Sequence, residues 1–263
     1  MVSLERKLYL KKIKKDKIII NFFRVFIFIF FIFIWELLSR LNLIDTFMFS
    51  SPSNIIKTII DLYKENNLFI HIFTTLYEII MSFIIGSIIG FIISSILYLF
   101  DRLNKILDPY LTILNSLPKV ALGPLIIILF GANTKSIIIM ALLISVIVSI
   151  MNISSIFKST DINKIKIVKS MGGNKLDILF RVVIPSNYLE IIDSFKVNIS
   201  LIFIGVIMGE FLVSKQGIGY LINYGSQILN MNLVLSGISL LVLLTIILYC
   251  LILLIDKIIR KTR

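Results

Sequence analysis

Only one cysteine and one histidine stand among 263 residues, and each scarcity removes a class of chemistry. A lone Cys250 cannot close a disulfide within the chain, and it lies inside an apolar run, so it reads as a packed or lipid-facing side chain. His71 has neither a cysteine nor a second histidine to complete a metal site, so it reads as structural and no metal is expected. Alanine is scarce too: Ala121, Ala132 and Ala141 are the only three. The basic start of the chain and the apolar run behind it therefore lack the small-residue cleavage site of a secretory signal. The run also exceeds the roughly 7–15 apolar residues of such a signal, which predicts a retained first span. No G-x-x-x-x-G-K-[ST] phosphate loop occurs. Gly172-Gly173-Asn174-Lys175 is no substitute, because the first glycine, the spacing and the following Ser or Thr are missing. No enzyme function and no cofactor are expected of this chain.

Charge is also sparse. Charged residues make up 16% of the sequence, where a soluble domain carries about a quarter. Bases outnumber acids by 27 to 15, a net charge of +12. In a soluble protein that excess would suggest nucleic acid, but here the bases flank apolar runs and read as topology determinants; no nucleic-acid partner is expected.

What is abundant is apolar residue, 58% of the chain, more than one aqueous core can hide. It falls in long continuous runs. Val25 to Leu38 holds a single charge, Glu36, and Leu240 to Ile255 holds none. A hydrocarbon core of ~30 Å needs roughly 20 helical residues, so these runs read as spanning helices. Their continuity excludes the alternation of a membrane barrel. Six spans are predicted, at about Ile19–Leu41, Ile72–Phe100, Ile106–Phe130, Lys135–Phe157, Tyr188–Val213 and Leu233–Ile255. The half-polar stretch from His71 to Glu78 reads as an outer extension of the second. Pro118, Gly123 and Pro124 predict that the third is broken or kinked, which a bilayer tolerates only where protein or a cavity satisfies the freed backbone. The fold class is membrane all-α, organised as a basic segment at 1–18, a six-helix domain over 19–257 and a basic tail at 258–263.

Six spans put both termini on one side. If that side is cytoplasmic, 20 lysines and arginines fall on inner segments and 5 on outer ones, with Lys119 and Lys196 inside spans. The positive-inside rule then places the termini in the cytoplasm. Gly86, Gly90 and Ser94 in the second span, and Gly205 and Gly209 in the fifth, form small-residue stripes at spacing four that permit close packing within the bundle.

The inner loop at 158–185 is the most informative segment. Ile162, Ile165, Ile167 and Val168, then Leu176, Ile178, Leu179 and Val182, mark two short amphipathic pieces split by the stop signal Gly172-Gly173-Asn174. Pro185 ends the second piece. Two short helices joined by a sharp turn would present a rigid knob to the cytoplasm; a basic, membrane-hugging loop is the plainer alternative.

Ser170-Met171-Gly172, the thirteen-residue step from Gly172 to Pro185, and the ending Val183-Ile184-Pro185 resemble the cytoplasmic loop of binding-protein-dependent ABC importer permeases. That loop usually reads Glu-Ala-Ala, three residues, Gly, nine residues, Ile, one residue, Leu-Pro. Here the Gly and Pro keep their spacing, with Val182 and Ile184 at the apolar positions. Lys166, Ile167 and Val168 stand where the family has Glu-Ala-Ala. Leu117 to Leu125, closing on Phe130-Gly131, resembles the third-span signature of the nitrate, sulfonate and taurine branch. Trp35-Glu36-Leu37, Ser51-Pro52-Ser53, Gly209-Glu210-Phe211 and Gly217 to Ile222 are similar to that branch as well. The resemblance extends over about residues 30–258.

It implies a type I importer fold and a division of labour. Two permease copies would form the pathway. A separate ATP-binding subunit would use the ATP and meet this chain through Lys166, Met171, Gly172, Gly173, Lys175 and Pro185. An extracellular binding protein would deliver a small solute, either an anion such as nitrate, a sulfonate or taurine, or a vitamin precursor.

Ionisable groups inside spans are expensive and default to functional candidates. Lys119, beside Pro118 in the broken span, could neutralise an anionic substrate or simply pair at a helix end. Glu36, Glu78 and Glu210 lie toward outer ends, where they could snorkel to water. Pro118, Lys119 and Glu210 are the pathway candidates. Asp193 and Lys196, three apart, are expected to pair. A stand-alone secondary transporter or channel would show inverted repeats or a chain of intramembrane acids, and a membrane enzyme would show clustered His, Asp or Cys; neither pattern is present.

Overall fold

A computed structural model describes residues 4–65 and 67–261. Residues 1–3 of the basic N-terminal segment and 262–263 of the basic tail lie outside the described residues. In chain order the helices are α1 Leu4–Arg40, α2 Thr46–Phe49, α3 Pro52–Lys64, α4 Leu68–Leu99, α5 Asp101–Ser116, α6 Gly123–Phe130 and α7 Thr134–Lys158. They continue with α8 Ile162–Ser170, α9 Lys175–Ile178, α10 Ile184–Ser186, α11 Tyr188–Val213, α12 Ile218–Gln227 and α13 Met231–Lys261. No strand occurs among the described residues.

Five helices are long and apolar enough to cross a membrane: α1 from Lys12, α4, α7, α11 and α13. The third predicted span is not one rod. The chain turns by 84° between α5 and the segment Lys119–Phe130. Pro118 cannot donate the amide that would continue α5, and Pro124 opens the next helix at its first turn. Whether this bent pair crosses is decided by what its ends touch. Lys175 reaches the Leu99 carbonyl and Asp101, so the start of α5 lies on the same face as the loop after α7. Thr74, Asn133 and Ser214 share one cavity wall, so the start of α7 lies on the opposite face. The bent pair therefore carries the chain across, and six crossings result. Glu36 meets the Ser53 amide, and Ser50 meets Asn232, on the outer face; Lys196 meets Asp256 on the inner one.

α4 reverses the pattern of a soluble helix. The buried face of α4 carries His71, Thr75, Glu78, Ser82, Gly86, Gly90 and Ser94 beside Leu68, Ile79 and Leu97, while Phe73, Tyr77, Ile80, Ile84 and Ile88 are exposed on its outside. Apolar groups gain nothing by leaving lipid for protein, so polar and small groups collect inside, where they find partners and let helices approach. The stretch His71 to Glu78, expected as an outer extension, is instead the top of this stripe.

α7 is the central helix, packed against both α4 and α11. A Cβ on Gly205 would stand 2.5 Å from the Ala141 Cα, and one on Gly209 would stand 2.9 Å from Ile137 Cγ2. On the other side, Gly86 abuts Leu142 and Ser145, and Gly90 abuts Ser149. The small-residue stripes thus serve packing inside one chain. α1 stands apart. None of its apolar window is buried, and an apolar cavity of about 470 Å³ lies between its Phe31, Trp35 and Leu38 and the Met231 and Leu235 of α13.

Candidate functional site

The inner loop folds as two short helices around a tight turn. Asp161 caps α8 by accepting from the Asn163 amide. α8 ends at Ser170 with Met171 as its C-cap, and Gly172 turns the chain at φ +82°, a conformation that favours glycine over any residue with a Cβ. No atom lies within 4 Å of a Cβ built on Gly172, so backbone conformation, not crowding, selects glycine there. Gly173 is the reverse case: a Cβ would meet the Val168 carbonyl oxygen at 2.9 Å. Asn174 and Asp177 then form a reciprocal capping box that starts α9. Met171, at the tip, is 80% exposed, and Lys166 is exposed on α8.

Pro185 marks the end of the second piece as expected, to within a residue: the helix stops at Ser186 and bends at Asn187 before α11. It reaches Ser186 through a π-helical stretch at Leu179–Val183, in which the Ile184 amide bonds back to the Leu179 carbonyl. Proline has no amide for the carbonyl four residues earlier, and widening the preceding turn accommodates that loss without breaking the helix. Leu179 and Val183 are fully buried with Ile153, Phe157 and Ile191. The knob is therefore rooted in the inner ends of α7 and α11. Its flank is tied by Lys175, whose Nζ donates to the Leu99 carbonyl at 3.0 Å and to Asp101 Oδ2 at 2.7 Å. One cation thus bridges the C-terminal end of α4 and the N-terminal end of α5, a placement both helix ends favour only in part: the cation suits the first, and Asp101 suits the second.

At the broken span, Lys119 donates to the carbonyl and side-chain oxygens of Asn115 at 3.2 and 3.0 Å. It bridges the bend from its own strand of chain and meets no carboxylate among the described residues. Pro118 is exposed beside it. Gly123, one turn on, sits against Leu212 and Met140 and so docks α6 on α7 and α11.

Glu210 is brought to neither of these. It is fully buried, accepting from the Thr75 hydroxyl at 2.6 Å and from the Gly219 amide at 2.5 Å. The Ile218 amide donates to Thr75 Oγ1 at 2.8 Å, and the Gly217 amide to His71 Nδ1 at 3.0 Å. Glu78, also fully buried, lies beside Glu210 and Thr134, with neither oxygen in a hydrogen bond of normal geometry. The expectation that Glu78 and Glu210 snorkel is therefore corrected. Glu36 alone stays near water, paired with Arg40 at 2.7 Å. Asp193 and Lys196 pair at 2.6 Å as expected, and Asp256 of α13 joins them at 3.1 Å. Sequence reasoning treated His71 as structural but did not find its partner, and it missed Thr75. Their spacing with Glu78 at i, i+4 and i+7 was the available signal of a shared face.

Residues 82–261 match the family model for the binding-protein-dependent transport system inner membrane component. The chain belongs to this family. It is thus a multi-pass permease of the ABC importer type, a transport subunit. It is similar to the putative aliphatic sulfonates transport permease SsuC of Bacillus subtilis, 22% identical over 78% of this chain and 74% of that one. It is similar as well to the formylaminopyrimidine transport permease ThiX of Halalkalibacterium halodurans, 25% identical over 71% and 74%. The taurine permease TauC of Escherichia coli is 21% identical over 78% and 77%. Among solved structures, the inward-facing MetNI methionine ABC transporter overlays with a TM-score of 0.65 at 17% identity, covering 76% of this chain and 97% of that one. That likeness shows the type I importer fold. The family match takes in the knob, the broken span and Glu210 of this permease. His71, Thr75 and Glu78, the other half of the buried network, precede it.

Proposed function

We propose that two copies of this permease line a pathway for a small solute and take their motion from a separate cytoplasmic ATP-binding subunit that grips the knob at residues 158–185. The observation that supports this most is mechanical. The knob exposes Met171 and Lys166 at its surface yet is rooted by Leu179 and Val183 in the bundle and tied by Lys175 to α4 and α5. A push on the tip would therefore reach four spans, α4, α7, α11 and the broken one, as a unit. Gly172 and Pro185 set the knob's turn and its widened root, Gly173 its tight packing. Lys166, where relatives of this loop usually carry Glu, gives the contact a cation in place of an acid. ATP belongs to the partner.

Delivery would fall to an extracellular binding protein. The relatives' names point to sulfonates, taurine and pyrimidine or flavin vitamins or their precursors as solute classes, and nitrate belongs to the same branch. Lys119, at the exposed corner beside Pro118, is the cation placed to meet an anionic solute.

Co-purification and uptake test the reading. A tagged chain should bring down an ATP-binding subunit, and reconstituted uptake should require ATP. Replacing Gly172 by Leu should leave insertion and assembly intact while separating ATP hydrolysis from transport. Uptake that persists without ATP, with no ATPase recovered, would mark the protein as a secondary transporter or channel instead.

A further inference from the structure

α12 begins inside the protein with no cap of its own. Its N-cap is Gly217, which has no side chain to accept from the first turn, and Ile218 and Gly219 are buried. The first amides of any helix lack partners within it, and in a membrane protein's interior water does not supply them. Here three of them are taken up by other helices: Gly217 by His71, Ile218 by Thr75 and Gly219 by Glu210. Glu210 does from the end of α11 what a capping Asp or Ser does from the N-cap position. The fit depends on glycine twice. Gly217 holds φ +110°, and a Cβ on Gly219 would stand 2.7 Å from Glu210 Oε2.

The loop between α11 and α12 is the part this cap fixes in space. Its residues Ser214, Lys215 and Gln216, with Thr74, Asn133 and Thr134, wall an outer-face cavity of about 210 Å³. Lys215 is exposed and forms no ion pair among the described residues. Packing of Ile222 and Gly225 on α13 holds the body of α12, and the capping contacts fix where it starts and so where this wall ends.

We propose that Glu210 is a positioning residue of the outer mouth: by capping α12 from α11 it holds the loop Ser214–Gln216 where that loop walls the outer cavity. This rests on the proposed function for its effect on uptake, but not for its effect on the loop.

The test uses the full chain in lipid vesicles with Cys250→Ser and Lys215→Cys, so that a membrane-impermeant maleimide reads the position of the loop. Glu210→Gln keeps the volume but offers one acceptor oxygen in place of two, so an NH₂ faces either the α12 amide or the Thr75 hydroxyl. Gly219→Ala keeps the carboxylate and pushes α12 off it. Both should change the labelling rate of position 215 by about tenfold, the scale set by one buried donor left without a partner. Thr75→Ser, which keeps the hydroxyl, should label like the parent. Gly205→Ala, a control that overpacks α11 on α7 more than a turn from Glu210, should lower the thermal midpoint without altering labelling. In the complete transporter, Glu210→Gln should raise the KM for delivered solute more than it lowers kcat. Labelling within twofold of the parent in both Glu210→Gln and Gly219→Ala, or an equal change in Gly205→Ala, overturns the proposal. Altered labelling with no ATP-dependent uptake in the parent leaves the positioning role standing and removes the transport reading.

Discussion

Ile218 gives its amide proton to the hydroxyl of Thr75, 143 residues earlier, at 2.8 Å. The same hydroxyl gives its own proton to Glu210 at 2.6 Å. Thr75 is thus donor and acceptor at once, and its removal leaves two groups short. Thr75→Val should cost roughly 1–3 kcal/mol for each buried group left unpaired, whereas Thr75→Ser should cost far less. Thermal unfolding in detergent measures both, and equal midpoints for the two variants would show that the hydroxyl contributes nothing.

Glu78 is the unsatisfied member of this network, fully buried and without a hydrogen bond of normal geometry. An amide of the same size can donate to Glu210 beside it. Glu78→Gln should therefore raise stability by roughly 1–3 kcal/mol, the usual cost of a buried polar group left unpaired. A lower melting temperature would mean that the carboxyl has a partner in the membrane-embedded protein.

Gly205 and Ala141 set the closest approach of α11 to α7. A methyl group on Gly205 would meet the Ala141 Cα, which is backbone and cannot swing aside. Gly205→Ala should destabilise by about 1–3 kcal/mol through overpacking. Gly205→Ala combined with Ala141→Gly should recover part of that, as a denaturation series on the single and double variants would read out.

The Lys175–Asp101 pair is short but exposed, at 56% and 73% of its side-chain surfaces. Exposed pairs contribute little to stability, about 0–1 kcal/mol, so Lys175→Met should melt close to the parent. If the pair carries force from the knob to α4 and α5, the same variant should lose ATP-coupled uptake several-fold, and Lys175→Asp with Asp101→Lys should restore part of it. Unchanged uptake in Lys175→Met would leave the pair a surface contact only.

The spans were legible because hydropathy is a local property: a run such as Leu240 to Ile255 announces itself from its own residues. The knob was legible for the same reason, since Gly172, Gly173 and Asn174 are adjacent and their turn chemistry acts at short range. Pro118 signalled a break but not its size, because the 84° turn is set by where α6 docks on Met140 and Leu212. Pro185 marked the end of the second piece to within a residue, but nothing local announced the π-helical stretch before it, which is set by the buried root at Leu179 and Val183. α3 and α12 were not predicted, although Ser51-Pro52 is a start signal and does cap α3. α12 has no such local signal, as its cap comes from α4 and α11. Glu210 was singled out correctly as an unusual residue. Its partners were out of reach, because no pattern within a window joins position 75 to 210 and 218.

α1 has almost no hold on the bundle, and that bears on how the protein is made. Of the spans described here, α1 precedes the rest, and its apolar window buries nothing against later segments. α4, by contrast, enters early with its polar face already formed, yet His71 and Thr75 find their partners only after another 146 and 143 residues have been synthesised. Throughout that interval His71 and Thr75 lack these partners. Closure of the buried network is thus a late event in chain order, reached only once α11 and α12 have followed α4.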